Sequence, residues 1–319
     1  MASSAGIAGP PASEYRGRLA PSPTGYLHLG HARTFYTAYR RAEQQGGTLV
    51  MRMEDLDTAR SKAVYAEAAY EDLRWLGIRW LEGPDIADKA KKGGPYGPYL
   101  QSKRRTVYLD AWRSLLRGGF LFPCYCSRKD LEAAAGAPHE AAGQNAGQDD
   151  EPIYPGTCRP GRGRGKSGHG KQLPAQPAEM SGSPEGTNWR FRVPDGEAVE
   201  FVDENLGPQR FVAGVDFGDF VVWRRDGFPS YQLACVADDA AMRITEVVRG
   251  ADLLKSTARQ ILLYRALQLM PPRWYHCRLV MDHNGQRLAK RNDALSIRAL
   301  RQRGLTPLKV LAAKVPMEG

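Results

Sequence analysis

The chain lacks the features of a membrane or exported protein. No stretch approaches the roughly 18 consecutive apolar residues of a membrane span, and the opening MASSAGIAGPPASEYRG has no apolar core of the kind a signal peptide needs. Neither membrane insertion nor export is expected, so the expected compartment is the cytoplasm. Cysteine is scarce: Cys124, Cys126, Cys158, Cys235 and Cys277 are too few and too unevenly spread for a disulfide framework in 319 residues. No internal repeat recurs. Acidic side chains are outnumbered, 35 against 45 basic ones, which leaves a net charge of +10. That balance suits an anionic partner such as nucleic acid, although basic enzymes without a polymeric substrate also occur.

With 42% hydrophobic residues, the chain can bury a sizeable core, and its length fits two domains or one with an appendage. Residues 1–14, rich in Ala, Ser, Gly and Pro, read as a disordered tail, since nothing in them offsets the entropy of ordering. A low-complexity block at about 136–188 switches from an acidic half to the basic, Gly-rich RPGRGRGKSGHGK and reads as a disordered loop without an assigned role. Elsewhere short β-like runs alternate with helices: TLVMRMED (48–55) as a strand, and helices at 63–76, 103–117 and 252–270, the last stopped by Pro271 and Pro272. The alternation predicts an α/β fold with a Rossmann-like, doubly wound parallel sheet. WRFRV, VEFVDENL and FGDFVVWRRDGFPSYQLACVADDA read as hairpin-like β runs of a mixed insertion, and Cys235 and Cys277 as core residues in strand-like runs. The expected organisation is a first half of the sheet domain at 15–118, an insertion at 119–225, a second half at 226–291 and a short helical C-terminus at 292–319.

GRLAPSPTGYLHLGH reads as a strand end, a turn and the start of a helix. Ala32, Phe35, Tyr36, Tyr39 and Ala42 follow helical spacing, and Gly46-Gly47 end the element. His28 and His31 then sit at or just before a helix N-terminus, where backbone N–H groups and the helix dipole favour an anion such as phosphate. Gly30 lets a ligand approach the backbone, while Pro21 and Pro23 stiffen the turn carrying Ser22 and Thr24. Two histidines near a cap are also often merely structural. Towards the other end, NGQRLAKRNDALSIRALRQRG holds Lys290 in a polar loop between a strand-like CRLVMD and a helix, where a mobile ammonium can reach leaving phosphates.

Together, HLGH and RLAKR resemble the paired signature motifs of class I aminoacyl-tRNA synthetases. RLAPSPTGYLHLGHAR, MRMEDLD, YQLACVADDAAMRITEVVRGADLL and the helix that follows are similar to the catalytic domain of glutamyl-tRNA synthetases, over roughly 15–135 and 189–315. Only 29 residues follow Lys290, whereas an anticodon-reading domain takes on the order of 100 or more. That shortness, with the cysteine cluster, makes the chain look like the glutamyl-queuosine tRNA(Asp) synthetases, truncated paralogues of the glutamyl-tRNA synthetases. The resemblance implies activation of L-glutamate with ATP and Mg²⁺, then transfer to queuosine in the anticodon of tRNA(Asp). It assigns His28, Gly30, His31, Arg287 and Lys290 to ATP, with His28, His31 and Lys290 catalytic. It assigns Arg18 and Ser22 in the first loop, Glu54, Tyr231 and Arg249 to glutamate. A guanidinium can hold a carboxylate bidentately, and Glu54, at the carboxyl end of a predicted parallel strand, can receive the α-ammonium.

FPCYCSRKD and PIYPGTCR give Cys124-x-Cys126, then 27 residues, then Tyr154-x3-Cys158. Three thiolates and one further donor make a closed Zn²⁺ site; three reduced cysteines without metal are the alternative, and His139 and His169 compete with Tyr154 as fourth ligand. The resemblance implies a structural Zn²⁺ on Cys124, Cys126, Tyr154 and Cys158. For RNA, splayed loop bases and phosphates are the expected targets, with Trp75, Trp80, Arg105 and Arg113 as candidate contacts and helix packing and surface charge as their default roles. A monomer is the default expectation. One departure stands out: the second motif reads Arg287-Leu288-Ala289-Lys290-Arg291, where the family has Lys first and Ser third. Three alternatives remain: an acceptor-end glutamyl-tRNA synthetase, an inactive RNA-binding paralogue and a small-molecule nucleotidyltransferase.

Overall fold

A computed structural model describes residues 15–86, 93–127, 129–131, 152–161, 184–280 and 296–312. The tail at 1–14, most of the 136–188 block, His139, His169, Arg287, Ala289 and Lys290 lie outside the described residues.

Two parallel pairings form the frame. β1 (Arg16–Leu19) runs beside β2 (Thr48–Met51), with Arg18 opposite Val50. β8 (Glu246–Gly250) runs beside β9 (Arg273–Cys277), with Arg249 opposite His276. The pairs meet where the Thr245 N–H donates to the Arg16 carbonyl at 2.9 Å and the Arg16 N–H donates to Thr245 Oγ1 at 2.9 Å. On its other side β9 takes β5 (Ala198–Asp203) in parallel at Asp203, and β5 carries β6 (Gly207–Val212) antiparallel. A separate antiparallel sheet joins β3 (Leu121–Cys124), β4 (Asn188–Phe191) and β7 (Phe220–Trp223). The fold is α/β with mixed sheets. A hairpin from the stretch read as an insertion is hydrogen-bonded into the sheet that carries Arg249.

The helices form where apolar spacing and caps agree. α1 (Leu29–Gln44) buries Leu29, Ala32, Phe35, Ala38 and Ala42, a 3.6-residue stripe lying on β1 and β8. Burying side chains such as Leu29 and Phe35 stabilises by about 1.5–3 kcal/mol each. α2 (Ala63–Trp75) and α3 (Arg105–Arg117) start and stop within a few residues of their expected ends. The expected β structure at 217–240 holds only for β7: after it the chain forms α4 (Tyr231–Ala241), so Cys235 is helical, a correction. Ser230 caps that helix by accepting the Leu233 N–H, and Leu233, Ala234, Val236 and Ala237 are all buried, a packing on both sides that masks helical periodicity. α5 (Leu254–Ala266) packs on α4 and ends four residues earlier than expected. α6 (Ile297–Gln302) and α7 (Pro307–Ala312) are two short helices near the end of the chain, and Gly304 takes φ +80° between them. Among the described residues no helix is long and apolar enough to cross a membrane.

One buried charge carries a stability prediction. Asp72 in α2 is fully buried, neither carboxylate oxygen accepts a hydrogen bond, and the nearest cation is Arg298 Nε at 3.8 Å. Burial, opposed by Arg298 and Arg301, pushes this carboxyl from 3.8 up to about 6. The folded state therefore binds a proton that the unfolded chain releases, so this contribution is fully present below pH 3.8 and is lost as pH rises through about 6. Asp72→Asn is expected to stabilise the protein by on the order of 1–3 kcal/mol above pH 7, with the gain shrinking as pH falls, as read from denaturant melts at several pH values.

Candidate active site

The first motif builds its own helix cap from imidazoles. His28, in an extended conformation at the N-cap of α1, accepts the Gly30 N–H through Nδ1 at 3.1 Å, and His31 Nδ1 accepts the His28 N–H at 3.1 Å. The rings lie 3.8 Å apart, centroid to centroid. With both Nδ1 atoms accepting, each neutral ring carries its proton on Nε2, which makes the pair donors for an anion at the helix start. Gly30 has a more local role than backbone access to a ligand: a Cβ there would lie 2.9 Å from His28 Cε1, so any side chain displaces the capping imidazole. The same turn is stitched to the C-terminal part of the chain. Ser296 bridges to His28, and the Ile297 N–H donates to the Leu27 carbonyl at 2.7 Å.

A buried polar cluster lies at the carboxyl ends of the parallel strands. Arg18 sits within β1 and not in the loop after it, a correction that follows from its pairing with Val50. Its Nη1 donates to the Val248 carbonyl at 2.8 Å and its Nε lies 3.7 Å from Asp239 Oδ1. Ser22 occupies the turn that follows, a turn held over β2 by the Arg52 N–H to Leu19 and the Glu54 N–H to Pro21. Glu54 stands just past the end of β2, accepting from Arg52 Nη2 at 3.0 Å. Burial pushes its carboxyl up, with Arg52 and Arg18 opposing. Tyr231 opens α4, and its hydroxyl accepts from Arg249 Nη1 at 3.2 Å. Burial raises that phenol well above its ordinary value, so it stays a neutral hydroxyl.

Several supporting residues escaped the sequence reading. Arg52, fully buried, joins Glu54 to Asp239 (2.5 Å) and approaches Cys235 at 3.7 Å, so Arg18, Arg52, Glu54 and Asp239 form one network. Asp238 beside it is held by Arg104, Gln101 and Tyr108. These two aspartates of VADDAA are structural anchors for α4. Arg249 is gripped on every edge: Nε donates to His276 Nε2 (3.1 Å), Nη1 to Gln260 Oε1 (2.9 Å) and Nη2 to Thr257 Oγ1 (2.6 Å). Thr257 and Gln260 lie three apart on α5, whereas His276 comes from β9, and no spacing rule links either to Arg249.

The cysteine cluster is assembled as the motif suggests. Cys124, Cys126 and Cys158 are buried with sulfurs within 4.8 Å of one another. Tyr154 Oη lies 3.5 Å from Cys124 Sγ, 3.9 Å from Cys126 Sγ, and accepts the Cys158 N–H at 2.7 Å. Two sulfurs about 2.3 Å from one tetrahedral Zn²⁺ are about 3.8 Å apart, and a sulfur and an oxygen about 3.5 Å apart. The 3.6 Å between Cys126 and Cys158 sulfurs and the 3.5 Å from Cys124 to the phenol fit that geometry. The hydrogen bond between Cys158 and Cys124 lowers the Cys124 thiol and raises that of Cys158, while burial raises Cys126, so without a metal one proton is shared towards Cys158.

The candidate RNA contacts fare differently. Trp80 is buried and bonds Asp85, Trp75 lies under Arg301, Arg105 pairs with Glu185 and Arg113 with Asp110. The two tryptophans pack within the protein, whereas Arg105 and Arg113 hold exposed ion pairs.

Residues 14–315 match the family described as tRNA synthetases class I (E and Q), catalytic domain. The glutamyl-Q tRNA(Asp) synthetase of Symbiobacterium thermophilum is 45% identical over 306 residues, which cover 95% of this chain and 86% of that protein. Its counterpart in Nitratidesulfovibrio vulgaris is 45% identical over 309 residues, 94% of this chain and 87% of that one. Glutamate–tRNA ligase 2 of Nitrosococcus oceani is 40% identical over 91% of this chain but only 56% of its own length. The solved glutamate-tRNA synthetase of Elizabethkingia anophelis superposes with a TM-score of 0.70 at 30% identity, over 92% of this chain and 54% of that one. The chain thus spans about half the length of the glutamate–tRNA ligases and most of the length of the glutamyl-Q synthetases. It belongs to the class I tRNA synthetase (E and Q) catalytic family, and within that family to the glutamyl-Q tRNA(Asp) synthetases.

Proposed function

We propose that this protein activates L-glutamate with ATP and transfers the glutamyl group to queuosine in the anticodon of tRNA(Asp), in the cytoplasm and as a monomer. One observation carries the reading: Arg18 of β1, Glu54 just past β2, Tyr231 of α4 and Arg249 of β8 meet in one buried polar cluster. Two guanidiniums, a carboxylate and a neutral phenol suit a ligand with two carboxylates and an ammonium. Arg249 and Tyr231 hold the side-chain carboxylate, Arg18 and Ser22 the α-carboxylate, and Glu54 the ammonium.

In the first step an α-carboxylate oxygen of glutamate attacks the α-phosphorus of ATP. The bond to the bridging oxygen breaks, its electrons leave with pyrophosphate, and glutamyl-adenylate remains. Little covalent chemistry falls to the protein, whose contribution is positioning and donors for the phosphate charge. His28 and His31 supply Nε2–H donors beside the helix start, and Gly30 keeps the cap in place. Lys290, with Arg287, is the cation for the departing phosphates. Mg²⁺ accompanies ATP and neutralises part of its charge. In the second step a queuosine hydroxyl oxygen attacks the activated carbonyl, the bond to the phosphate oxygen breaks, AMP departs, and the hydroxyl proton passes to solvent. Cys124, Cys126, Tyr154 and Cys158 fit a structural Zn²⁺, which would cross-link β3 to the 154–158 turn. The Rossmann-like doubly wound arrangement, with 119–225 as the insertion, is the architecture this reading uses.

Pyrophosphate exchange into ATP is the direct test of the first step. Exchange is expected with L-glutamate and to be at least about tenfold weaker with glutamine or aspartate, because a neutral amide or a shorter side chain leaves Arg249 unmatched. Exchange that is indifferent to the amino acid would remove the assignment.

A further inference from the structure

Arg249 does not hold itself in place; behind it stands a buried pair that the proposed reaction does not touch. Asp203 ends β5, on the hairpin that joins the sheet beside β9, and His276 lies in β9 opposite Arg249. Both side chains have no exposed surface. Asp203 Oδ2 lies 2.6 Å from His276 Nδ1, and the same carboxylate accepts the backbone N–H groups of Asn205 (3.0 Å), Leu206 (2.9 Å) and His276 (3.1 Å). Burial pushes that carboxyl up, but the hydrogen bonds from His276, Leu206 and Asn205 outweigh it and hold it below the usual carboxylate range. Asp203 is therefore an ionised, acceptor-only group, so Nδ1 of His276 must carry the ring proton.

The other nitrogen follows from this. His276 Nε2 is 3.1 Å from Arg249 Nε, whose hydrogen it accepts, and 3.1 Å from Thr257 Oγ1. An arginine Nε always donates, so His276 works only as the neutral tautomer with a bare Nε2. We propose that Asp203 and His276 are positioning residues that fix the Arg249 guanidinium for its anionic ligand, through a tautomer locked by Asp203.

This rests on the assignment of Arg249 to the glutamate side chain. It adds a pH dependence that the assignment alone lacks. The charged groups facing His276 are Asp203 from β5, Arg249 from β8 and Arg18 from β1. Burial lowers the imidazole pKa, Asp203 opposes that, and the two arginines add to it. Acidification eventually places a proton on Nε2, opposite the Arg249 Nε–H. Two donors then face each other, and the guanidinium must leave its position.

The test compares KM for glutamate and for ATP in pyrophosphate exchange, for wild type, Asp203→Asn and His276→Gln, from about pH 7.5 to about pH 5. In wild type, KM for glutamate is expected to rise towards the acid end as His276, whose pKa burial lowers, takes up its proton. Asp203→Asn removes the tautomer lock and should raise KM for glutamate by about ten- to a hundredfold, the cost of a broken hydrogen bond to a charged group. His276→Gln offers an amide oxygen to Arg249 without a titrating ring. It should keep glutamate affinity within about tenfold and abolish the acid response. An unchanged KM for glutamate in Asp203→Asn overturns the inference, as does a parallel rise of both KM values in that variant, and so does an acid rise in KM for glutamate that persists undiminished in His276→Gln. Wild-type protein that fails to activate glutamate at any pH overturns the glutamate assignment itself, a result distinct from active enzyme whose KM ignores Asp203 and His276.

Discussion

Replacing His31 with alanine is expected to lower kcat/KM for glutamate-dependent pyrophosphate exchange by about 10²–10³-fold, while costing the fold only about 1 kcal/mol. The two effects separate because the imidazole has two nitrogens with different duties. Nδ1 accepts the His28 N–H at 3.1 Å and is a cap; Nε2 carries the proton offered to phosphate. His31→Asn tests the division. Its side-chain oxygen can take over the cap and restore the melting temperature, but the shorter side chain does not bring a donor to the Nε2 position, so activity should stay low. Exchange kinetics and thermal melts on the same samples settle the matter. An alanine variant with unchanged kcat/KM would leave His31 as a helix cap and nothing more.

Arg52→Met should produce the largest loss of stability, about 3–5 kcal/mol, or roughly a 10 °C fall in Tm for a chain of this size. Arg52 is fully buried and holds Asp239 at 2.5 Å and Glu54 at 3.0 Å, with Asp238 at 3.9 Å. Removing the cation leaves buried carboxylates without their main partner, and they must take up protons or draw in water. The loss should therefore grow as pH rises and shrink in acid, where the carboxyls can be neutral. Arg52→Lys should fall between, since one ammonium cannot span Asp239 and Glu54 as the planar fork does. A methionine variant within about 1 kcal/mol of wild type at pH 8 would show that the cluster does not depend on its arginine.

The comparison of sequence with structure divides along physical lines. Where a signal is local, the reading holds: α1 begins at the HLGH turn because its cap and apolar stripe are both written within 16 residues, and Cys124, Cys126, Tyr154 and Cys158 converge on a spacing already visible as a motif. Where burial is two-sided, periodicity fails. α4 was taken for β structure because Leu233, Ala234, Cys235, Val236 and Ala237 are all buried, leaving no polar face to reveal the helix. Partnership across long separations is the least legible. Arg52 meets Asp239 across 187 positions and His276 meets Asp203 across 73, and nothing short of the fold announces either pair. Arg18 illustrates a smaller error of the same kind: its place in β1, not the loop, is set by pairing with β2, and its guanidinium reaches across to the Val248 carbonyl of β8.

The central claim is that glutamate goes to the anticodon. The measurement is to incubate the purified protein with ATP, Mg²⁺ and labelled glutamate, using tRNA(Asp) with and without queuosine, then digest the product with a ribonuclease and locate the label. Label confined to the anticodon fragment of the queuosine-bearing tRNA is the expected result. Label in the 3′-terminal fragment of both tRNAs would contradict the account and make this an acceptor-end glutamyl-tRNA synthetase.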